Sequence, residues 1–567
     1  MDFNTFINNN VICIKKLISR APTVRHRAVH PSFLQILLRI CYDKDKNLLS
    51  DLGKLEAFDH TFGFNLSETY CLIIPSEIEV VQKAISLFKS STAKPTVEIF
   101  LYPYMTSPVA AYLNETMPCS KASLVLFGES KIPEDKDPIK FTDLGVDLLP
   151  LDKDLVTMIT PSSMTRIWSL NDLTIFSELR NAINRIFAKF GSPSSVISVG
   201  PFSKQFAEQI ENVKSDGNFQ LVIVDRMVDP ITPLLSSLNY ESQIAEYLGI
   251  EYGLTSNLES HSLNKSYYLL SAQADHLIED FRVLNTSEFK SAFNKVNAEF
   301  NAALNGRSGN DFDSIRTDVR EASNSSIKHQ SISAHYKLIH AIEHLKTCAK
   351  WHEIEANQIK VLRKDYTALN SVLRDMFDQC APIDRIVNAL SLLSVMKGGF
   401  EELDGITKEM YRNYGIQVIP YLIRLSHLGL ILPKHQQSFS WDKLFDVMNM
   451  FNPNWKNKGD DAASAFEEGF APLMVRIIER ILKNEINLLT KALNNAKYKV
   501  EVQVIGNPTP KKYLICFIGG VTYTEVNLLR RIAKKIGVEI NFLTTEIYNR
   551  KQFFDSIAYG IPGLGNE

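Results

Sequence analysis

Residues 221–235 read Leu-Val-Ile-Val-Asp-Arg-Met-Val-Asp-Pro-Ile-Thr-Pro-Leu-Leu. The run 221–224 is apolar and mostly β-branched, the pattern of a strand buried on both faces, as in parallel sheets. Asp225-Arg226, Asp229-Pro230 and Thr232-Pro233 forbid its continuation. A strand tip is where α/β enzymes place catalytic carboxylates, so Asp225 and Asp229 first suggest an active site. Pairing is the better reading. Arg226 stands between two carboxylates, and a partly buried Asp-Arg-Asp cluster needs those partners to offset desolvation. Such networks perturb pKa values without doing chemistry. We therefore expect Arg226 to be an internal clamp between Asp225 and Asp229.

The same design recurs toward both ends of the chain. Residues 71–74 form a short apolar strand, followed by Pro75 and by Ser76 with Glu79 three residues on, the spacing of a capping box. Ile78, Val81, Ile85 and Phe88 then recur on one helical face, and a Lys94-Pro95 turn leads into a strand at 97–101. This is a β-α-β unit, which implies a parallel pair with a right-handed crossover. Farther on, 513–518 reads as a buried strand, Gly519-Gly520 as a tight turn, and Thr522 with Glu525 as a second capping box. Val526, Leu529, Ala533 and Ile536 give the inward face, Gly537 stops the helix, and 539–543 starts another strand. With an apolar run at 195–199, the two ends of the chain are α/β.

From about 235 to 490 the chain is mostly helical in pattern, for example over 268–303 and 333–363. Polar stretches at 305–313, 321–326 and 452–463 read as exposed loops. A helical segment between two α/β pieces implies that the C-terminal unit returns to complete an earlier sheet. At 567 residues, two to four domains are expected.

Composition removes several function classes. Lys plus Arg total 62 against 64 Asp plus Glu, which gives no support to nucleic-acid binding. No apolar stretch reaches the roughly 20 residues needed to span a bilayer, so membrane association must be peripheral or through a partner. The seven cysteines are scattered and read as reduced thiols of a cytosolic protein. Residues 3–42 hold six basic side chains and no acidic one, but the segment is Ser-poor and flows into a globular pattern, unlike a transit peptide.

Enzyme readings fare poorly. The Gly519-Gly520 turn could cradle a phosphate on a helix N-terminus. No G-x-x-x-x-G-K-[ST] or G-x-G-x-x-G occurs, and Glu525 puts negative charge where an anion would sit. A glycine pair allowing close packing is favoured. There is no G-x-S-x-G elbow, and His352-Glu353 lacks the second histidine of a zincin. His340, His344, Cys348 and His352 follow at i+4 steps, but each step overshoots a turn by about 40°, so the four cannot converge on one ion. An ordinary helix face is the favoured reading, with a histidine face titrating near pH 6.5 as a middle option. No cofactor, metal or catalytic residue is expected.

Five segments carry a resemblance. Residues 148–155, Leu-Leu-Pro-Leu-Asp-Lys-Asp-Leu, look like the P-L-D-x-D-L segment of the Sec/Munc (SM) family, and 225–235 resembles that family's signature. Residues 517–525, Phe-Ile-Gly-Gly-Val-Thr-Tyr-Thr-Glu, are similar to its F-x-G-G-V-T-F-x-E strand-turn-helix. Asn239-Tyr240-Glu241 and 468–476, Glu-Gly-Phe-Ala-Pro-Leu-Met-Val-Arg, resemble the class C vacuolar protein sorting branch (the number thirty-three type). Two departures stand out. The Arg-Pro and Pro-Arg pairs of the first domain are here Ile74-Pro75 and Pro103-Tyr104, and 318–345 lacks the proline that serves some relatives as a hinge.

The resemblance implies an α/β plus α fold, a three-domain SM-type arch. Domain 1 would span 1–122; domain 2, 123–226 plus 479–567; and domain 3, helical, 227–478, with a projecting hairpin near 286–348. It implies a non-enzymatic regulator of vesicle docking and fusion that binds syntaxin-like and R-type SNAREs. As a subunit of a HOPS/CORVET-like tethering complex it would also bind a helical-solenoid subunit, in the cytoplasm at endosome, vacuole or lysosome membranes. The alternatives are an SM protein of another step, endosomal/Golgi or exocytic, and more remotely a nucleotide-binding α/β enzyme. Phe289, Phe293, Val296 and Phe300 recur at helical spacing in the hairpin and are candidates to seat SNARE layers, with internal packing as the competing role. Phe470, an aromatic beside small residues, is the candidate anchor for the tethering partner, with a core position equally open.

Overall fold

The computed structural model describes residues 1–20, 26–42, 51–116, 139–160, 163–210, 213–214, 217–237, 239–256, 267–305, 312–348, 351–363, 365–434, 441–451, 469–506 and 511–564. It divides into two compact units, one of residues 2–159 and 251–254, the other of residue 1, 160–250 and 255–567.

The smaller unit carries strands β1 (His26–Val29), β2 (Leu55–Ala57), β3 (Thr69–Pro75), β4 (Thr96–Tyr102) and β5 (Ile139–Asp143). They form one sheet in the order β2-β1-β3-β4-β5, every pairing parallel. Helix α1 (Ile78–Ser90) crosses from β3 to β4, burying Val81 and Ile85 against Leu72, Ile74, Ile99 and Leu101. The expected capping box fails here. Strand β3 runs on through Pro75, and the Ser76 N–H bonds to Tyr102 O at 2.9 Å, so Ser76 is still part of the ladder. Its hydroxyl bonds to Thr106, the N-cap is Glu77 without a side-chain bond, and Ile78 faces outward. The hairpin β6 (Leu148–Asp152) and β7 (Leu155–Met158) holds the P-L-D-x-D-L segment, and Asn10 donates to Leu148 O at 2.9 Å.

In the larger unit, β8 (Ser195–Val199) and β9 (Gln220–Asp225) pair in parallel. Strands β10 (Val502–Gly506), β11 (Lys512–Ile518) and β12 (Glu539–Thr544) come from the far end of the chain. The order is β10-β8-β9-β11-β12; β11 lies parallel between β9 and β12, and β10 is antiparallel to β8. All six residues of β9 are buried. The α/β ends thus share one sheet, and between them lies the helical middle. Its elements used below are α2 (Pro201–Ala207), α3 (Tyr240–Tyr247), α4 (Thr286–Asn305), α5 (Phe312–Cys348), α6 (Val418–His427) and α7 (Leu473–Leu482). Helix α8 (Tyr523–Ile536) joins β11 to β12 and opens with the expected Thr522/Glu525 capping box. The stretch 321–326, expected as a loop, lies inside α5, and 306–311 and 452–468 fall outside the described residues. Local polarity suggested a break that continuous helix hydrogen bonding overrides.

Just past β12, Glu546 accepts from the Ser163 N–H and the Ser556 hydroxyl, each at 3.1 Å. Burial pushes its carboxyl up to about 7. The folded state therefore holds a proton that the unfolded chain releases, and this contribution to stability is full below about 4.5 and lost as pH rises through about 7. Glu546→Gln keeps the shape without the titration. Chemical denaturation of both proteins across that window should show the variant gaining on wild type as pH rises, by at most about 3 kcal/mol. A constant difference would contradict a raised carboxyl at this position.

Candidate partner-binding surface

The signature residues converge at the ends of β9 and β11. Asp225 accepts from the Phe202 N–H at 2.9 Å and the Ser203 N–H at 2.7 Å, and so caps α2. Gly200, at φ 110°, is required there because a Cβ would come within 2.4 Å of the Asp225 carboxylate. Burial pushes the Asp225 carboxyl up to about 7 despite those bonds. Asp229 is held by the Ile231 and Thr232 N–H groups, the Thr232 hydroxyl at 2.7 Å and the Met474 N–H at the start of α7.

These bonds correct the expected clamp. Both carboxylates are occupied by backbone donors, so the Arg226 guanidinium turns elsewhere. Its Nη2 meets the Asp229 carbonyl at 2.6 Å, and its Nη1 meets Glu525 Oε2 at 2.7 Å. Arg226 and Glu525 are both fully buried. The same Glu525 oxygen accepts from the N–H and hydroxyl of Thr522. The carboxylate read as a helix cap is therefore also the counter-ion of the signature arginine.

The Gly519-Gly520 turn has no room for a phosphate. Both residues sit at positive φ, 85° and 94°. A Cβ on Gly519 would meet the Trp168 ring at 2.4 Å, and one on Gly520 the Tyr548 ring at 2.2 Å. Aromatic side chains fill the space that a nucleotide loop leaves open. Pro230 lies in the buried bend between Asp229 and Ile231.

The branch-type segments are also interior. Glu241 accepts from Asn527 Nδ2 at 2.8 Å, joining α3 to α8. The Tyr240 hydroxyl bonds to His335 Nδ1 of α5 at 2.8 Å, and His335 Nε2 lies 2.7 Å from Asp275 Oδ2. Phe470, weighed equally as a partner anchor and as a core residue, is fully buried and packs edge-on against Phe445 and Phe451. Glycine and alanine at 469 and 471 give this aromatic close neighbours in the core, so the small residues signal packing rather than an open patch.

Helices α4 and α5 supply the expected hairpin segments. Phe289, Phe293 and Phe300 are buried and Val296 is half-buried, in one cluster with Tyr240, Phe281, Ile332 and Ile342. The three phenylalanines pack the hairpin internally and present no open face to a partner, and Val296 packs against them while staying partly accessible. What the hairpin exposes is Tyr336, 57% accessible, with Lys290, Lys337, His340 and His344. Tyr336 stacks over Phe293, its ring centroid 6.5 Å away, and Lys290 pairs with Glu343 at 2.5 Å. Sequence periodicity missed Tyr336 because an aromatic next to a helical core stripe reads as core. His340, His344 and Cys348 lie on α5 and His352 on the helix that is described from Trp351, with 349–350 outside the described residues. Among the described residues, no group of three metal-ligating side chains assembles.

A second exposed stripe went unread. Ile416, 70% accessible, precedes α6, and Pro420, Ile423 and His427 follow at steps of four, three and four, all outward. Val418, Tyr421, Leu422 and Leu425 of α6 are buried. A helix apolar on both faces was the available signal.

Replacing Arg226 by Ala should leave the buried Glu525 unpaired and lower unfolding stability by about 3–5 kcal/mol. In a double-mutant cycle with Glu525→Ala the two losses should be strongly non-additive. Additive effects, or wild-type melting of Arg226→Ala, would remove the pair from this structural role.

The architecture and the motifs place the chain among known proteins. The model of the Sec1 family matches residues 69–556. The Vacuolar protein-sorting-associated protein 33 homolog of Arabidopsis thaliana is 23% identical, over 71% of this chain and 74% of the relative. The structure of the SM protein Vps45 in complex with the Qa SNARE Tlg2 superposes with a TM-score of 0.59 at 13% identity, covering 100% of this chain and 99% of that one. The Unc18–syntaxin 1 complex from Monosiga brevicollis gives 0.55 at 14% identity, covering 98% and 99%. With a match running from the first sheet to the last helix, and the signature residues interlocked at the centre of the larger unit, the chain belongs to the Sec1 family.

Proposed function

We propose that this chain is a non-catalytic SNARE-binding regulator of vesicle docking and fusion, acting as a subunit of an endosomal or vacuolar HOPS/CORVET-like tethering complex. The observation that carries the SNARE reading is the outward face of the α4/α5 hairpin. Tyr336 stands exposed on a base of buried aromatics, flanked by Lys290, Lys337 and His340. A rigid helical face of this kind suits a helix laid along it, with an apolar anchor and charged flanks. The solved structures that this fold resembles include SM proteins in complex with Qa SNARE Tlg2 and with syntaxin 1. Holding two SNARE helices in register lowers the ordering cost of their first zippering step, which speeds assembly by positioning without covalent chemistry.

The tethering partner needs a separate surface, and burial removes Phe470 from that role. The Ile416–Pro420–Ile423 stripe supports a helical subunit docking beside it, since an exposed apolar ridge on one helix face matches the groove of a helical repeat. Curated relatives named for vacuolar protein sorting support this branch over an exocytic one. Among the described residues no helix is long and apolar enough to cross a membrane, so membrane recruitment in this account is peripheral and runs through partners.

Two experiments test the two surfaces separately. The charge reversals Lys290→Glu and Lys337→Glu should weaken binding of soluble endosomal or vacuolar SNARE fragments about ten-fold or more, with Tm unchanged. Unaltered binding to every SNARE tested would remove the hairpin as the template. The pair Ile416→Asp and Ile423→Asp should abolish co-purification with the helical-solenoid subunit while SNARE binding persists, because hot-spot anchors contribute about 2 kcal/mol or more each. Recovery of plasma-membrane syntaxins in place of tethering subunits would favour an exocytic role.

A further inference from the structure

At the N-terminal ends of the parallel strands β11 and β12, two distant segments bring basic side chains together. Lys511 and Lys512 open β11, and Lys512 is register partner to Glu539, the first residue of β12. The Lys511 carbonyl accepts from the Glu539 N–H at 2.9 Å. Lys534 and Lys535 occupy the last turn of α8, which Gly537 terminates two residues before Glu539. All four lysines are exposed, and Arg531, half-buried, precedes Lys534 and Lys535 on the same helical face by three and four positions. The acidic residue on these strand ends, Glu539, is already engaged by the Met1 ammonium at 2.6 Å and by Lys512 at 3.3 Å. This is a local excess of positive charge on a chain whose formal net charge is −2.

The arrangement also indicates what it would meet. Four of the five cations are lysines, compact point charges on flexible stems, rather than the planar forks that read phosphopeptides or bases bidentately. They sit at the end of a sheet and the end of a helix. No exposed aromatic side chain lies within either segment, so a stacking platform for nucleic acid is missing among these residues. Cations at the C-terminal turn of α8 are favoured by the helix dipole and are held on a rigid element. We propose that this lysine cluster is a docking surface for an anionic membrane, engaging lipid headgroups electrostatically without insertion. It acts independently of the hairpin and of the α6 stripe. Such contact would complement recruitment through partners, and it would orient the larger unit on the bilayer.

Clusters of four or more such residues bind anionic leaflets with about 1 kcal/mol for each Lys or Arg near the surface, which is roughly five-fold in partitioning per charge. The test is flotation of the full chain with phosphatidylcholine vesicles, with and without phosphatidylserine, at low and high salt. Wild type should float with phosphatidylserine vesicles alone and be released by salt. The quadruple variant Lys511→Gln, Lys512→Gln, Lys534→Gln, Lys535→Gln should lose that binding by two orders of magnitude or more. Its Tm and SNARE-fragment affinity should stay at wild-type values. A quadruple variant that unfolds is replaced by the paired variants 511/512 and 534/535, each expected to lose more than ten-fold. Equal flotation with neutral vesicles, or undiminished flotation of the variants, overturns the proposal. Wild type that ignores vesicles but loses a protein partner on mutation makes the cluster a protein-docking surface instead, and overturns it too.

Discussion

The ion pair between Arg226 and Glu525 constrains the rest of the larger unit. Its partners lie 299 positions apart in sequence and are both fully buried. Two charges removed from water are tolerated when their geometry is good and added hydrogen bonds offset the desolvation. The surroundings supply part of that, the Asp229 carbonyl for Arg226 and the Thr522 N–H and hydroxyl for Glu525 Oε2, while Arg226 Nε and Glu525 Oε1 find no hydrogen-bond partner among the described residues. To make these bonds, β11 must lie beside β9, and α8 must begin directly above the strand tip. The helical middle of the chain therefore has to leave the sheet and return to it. Gly519 follows from the same geometry, since only a residue without a side chain passes between the Trp168 ring and the Arg226 Cβ.

Much of this was legible in the sequence, for identifiable reasons. Apolar β-branched runs gave β3, β4, β8, β9, β11 and β12 close to their observed limits, because strands buried on both faces leave an uninterrupted hydrophobic record. The Thr522/Glu525 cap is a local interaction and was read correctly; the Ser76/Glu79 pair has the same spacing, yet ladder pairing to Tyr102 displaced it. Partner identity within the core was not legible. Asp225 caps α2, Asp229 caps α7, and Glu525 takes the arginine; all three pairings depend on which elements meet, which one-dimensional spacing does not encode. Exposure failed at the same level. Phe470 and the three hairpin phenylalanines share helical or aromatic patterning with true surface anchors, and only packing assigned them to the interior.

The hairpin illustrates how an interior produces a surface. Phe289, Phe293 and Phe300 fix α4 against α5 and the base of the helical region, and Tyr240, His335 and Asp275 add a hydrogen-bonded link at that base. Asp275, which also accepts from Tyr268 and Ser331, is held ionised well below the usual carboxylate range, the hydrogen bonds and charge of its neighbours outweighing the burial that opposes them. Aromatic packing and the polar contacts of Tyr240, His335 and Asp275 brace the outward face from beneath. Stiffness is what a template requires, because a flexible face would return the ordering cost it is meant to remove. The candidates read from sequence thus support the proposed binding face from beneath rather than forming it.

Hydrogen exchange of the full chain, with and without soluble Qa- and R-type SNARE fragments, tests this account most directly. It predicts slowed exchange along α4 and the described part of α5 around Tyr336 and His340, with the Arg226–Glu525 centre unchanged. Protection that appears elsewhere while the hairpin exchanges as in the free protein would contradict it.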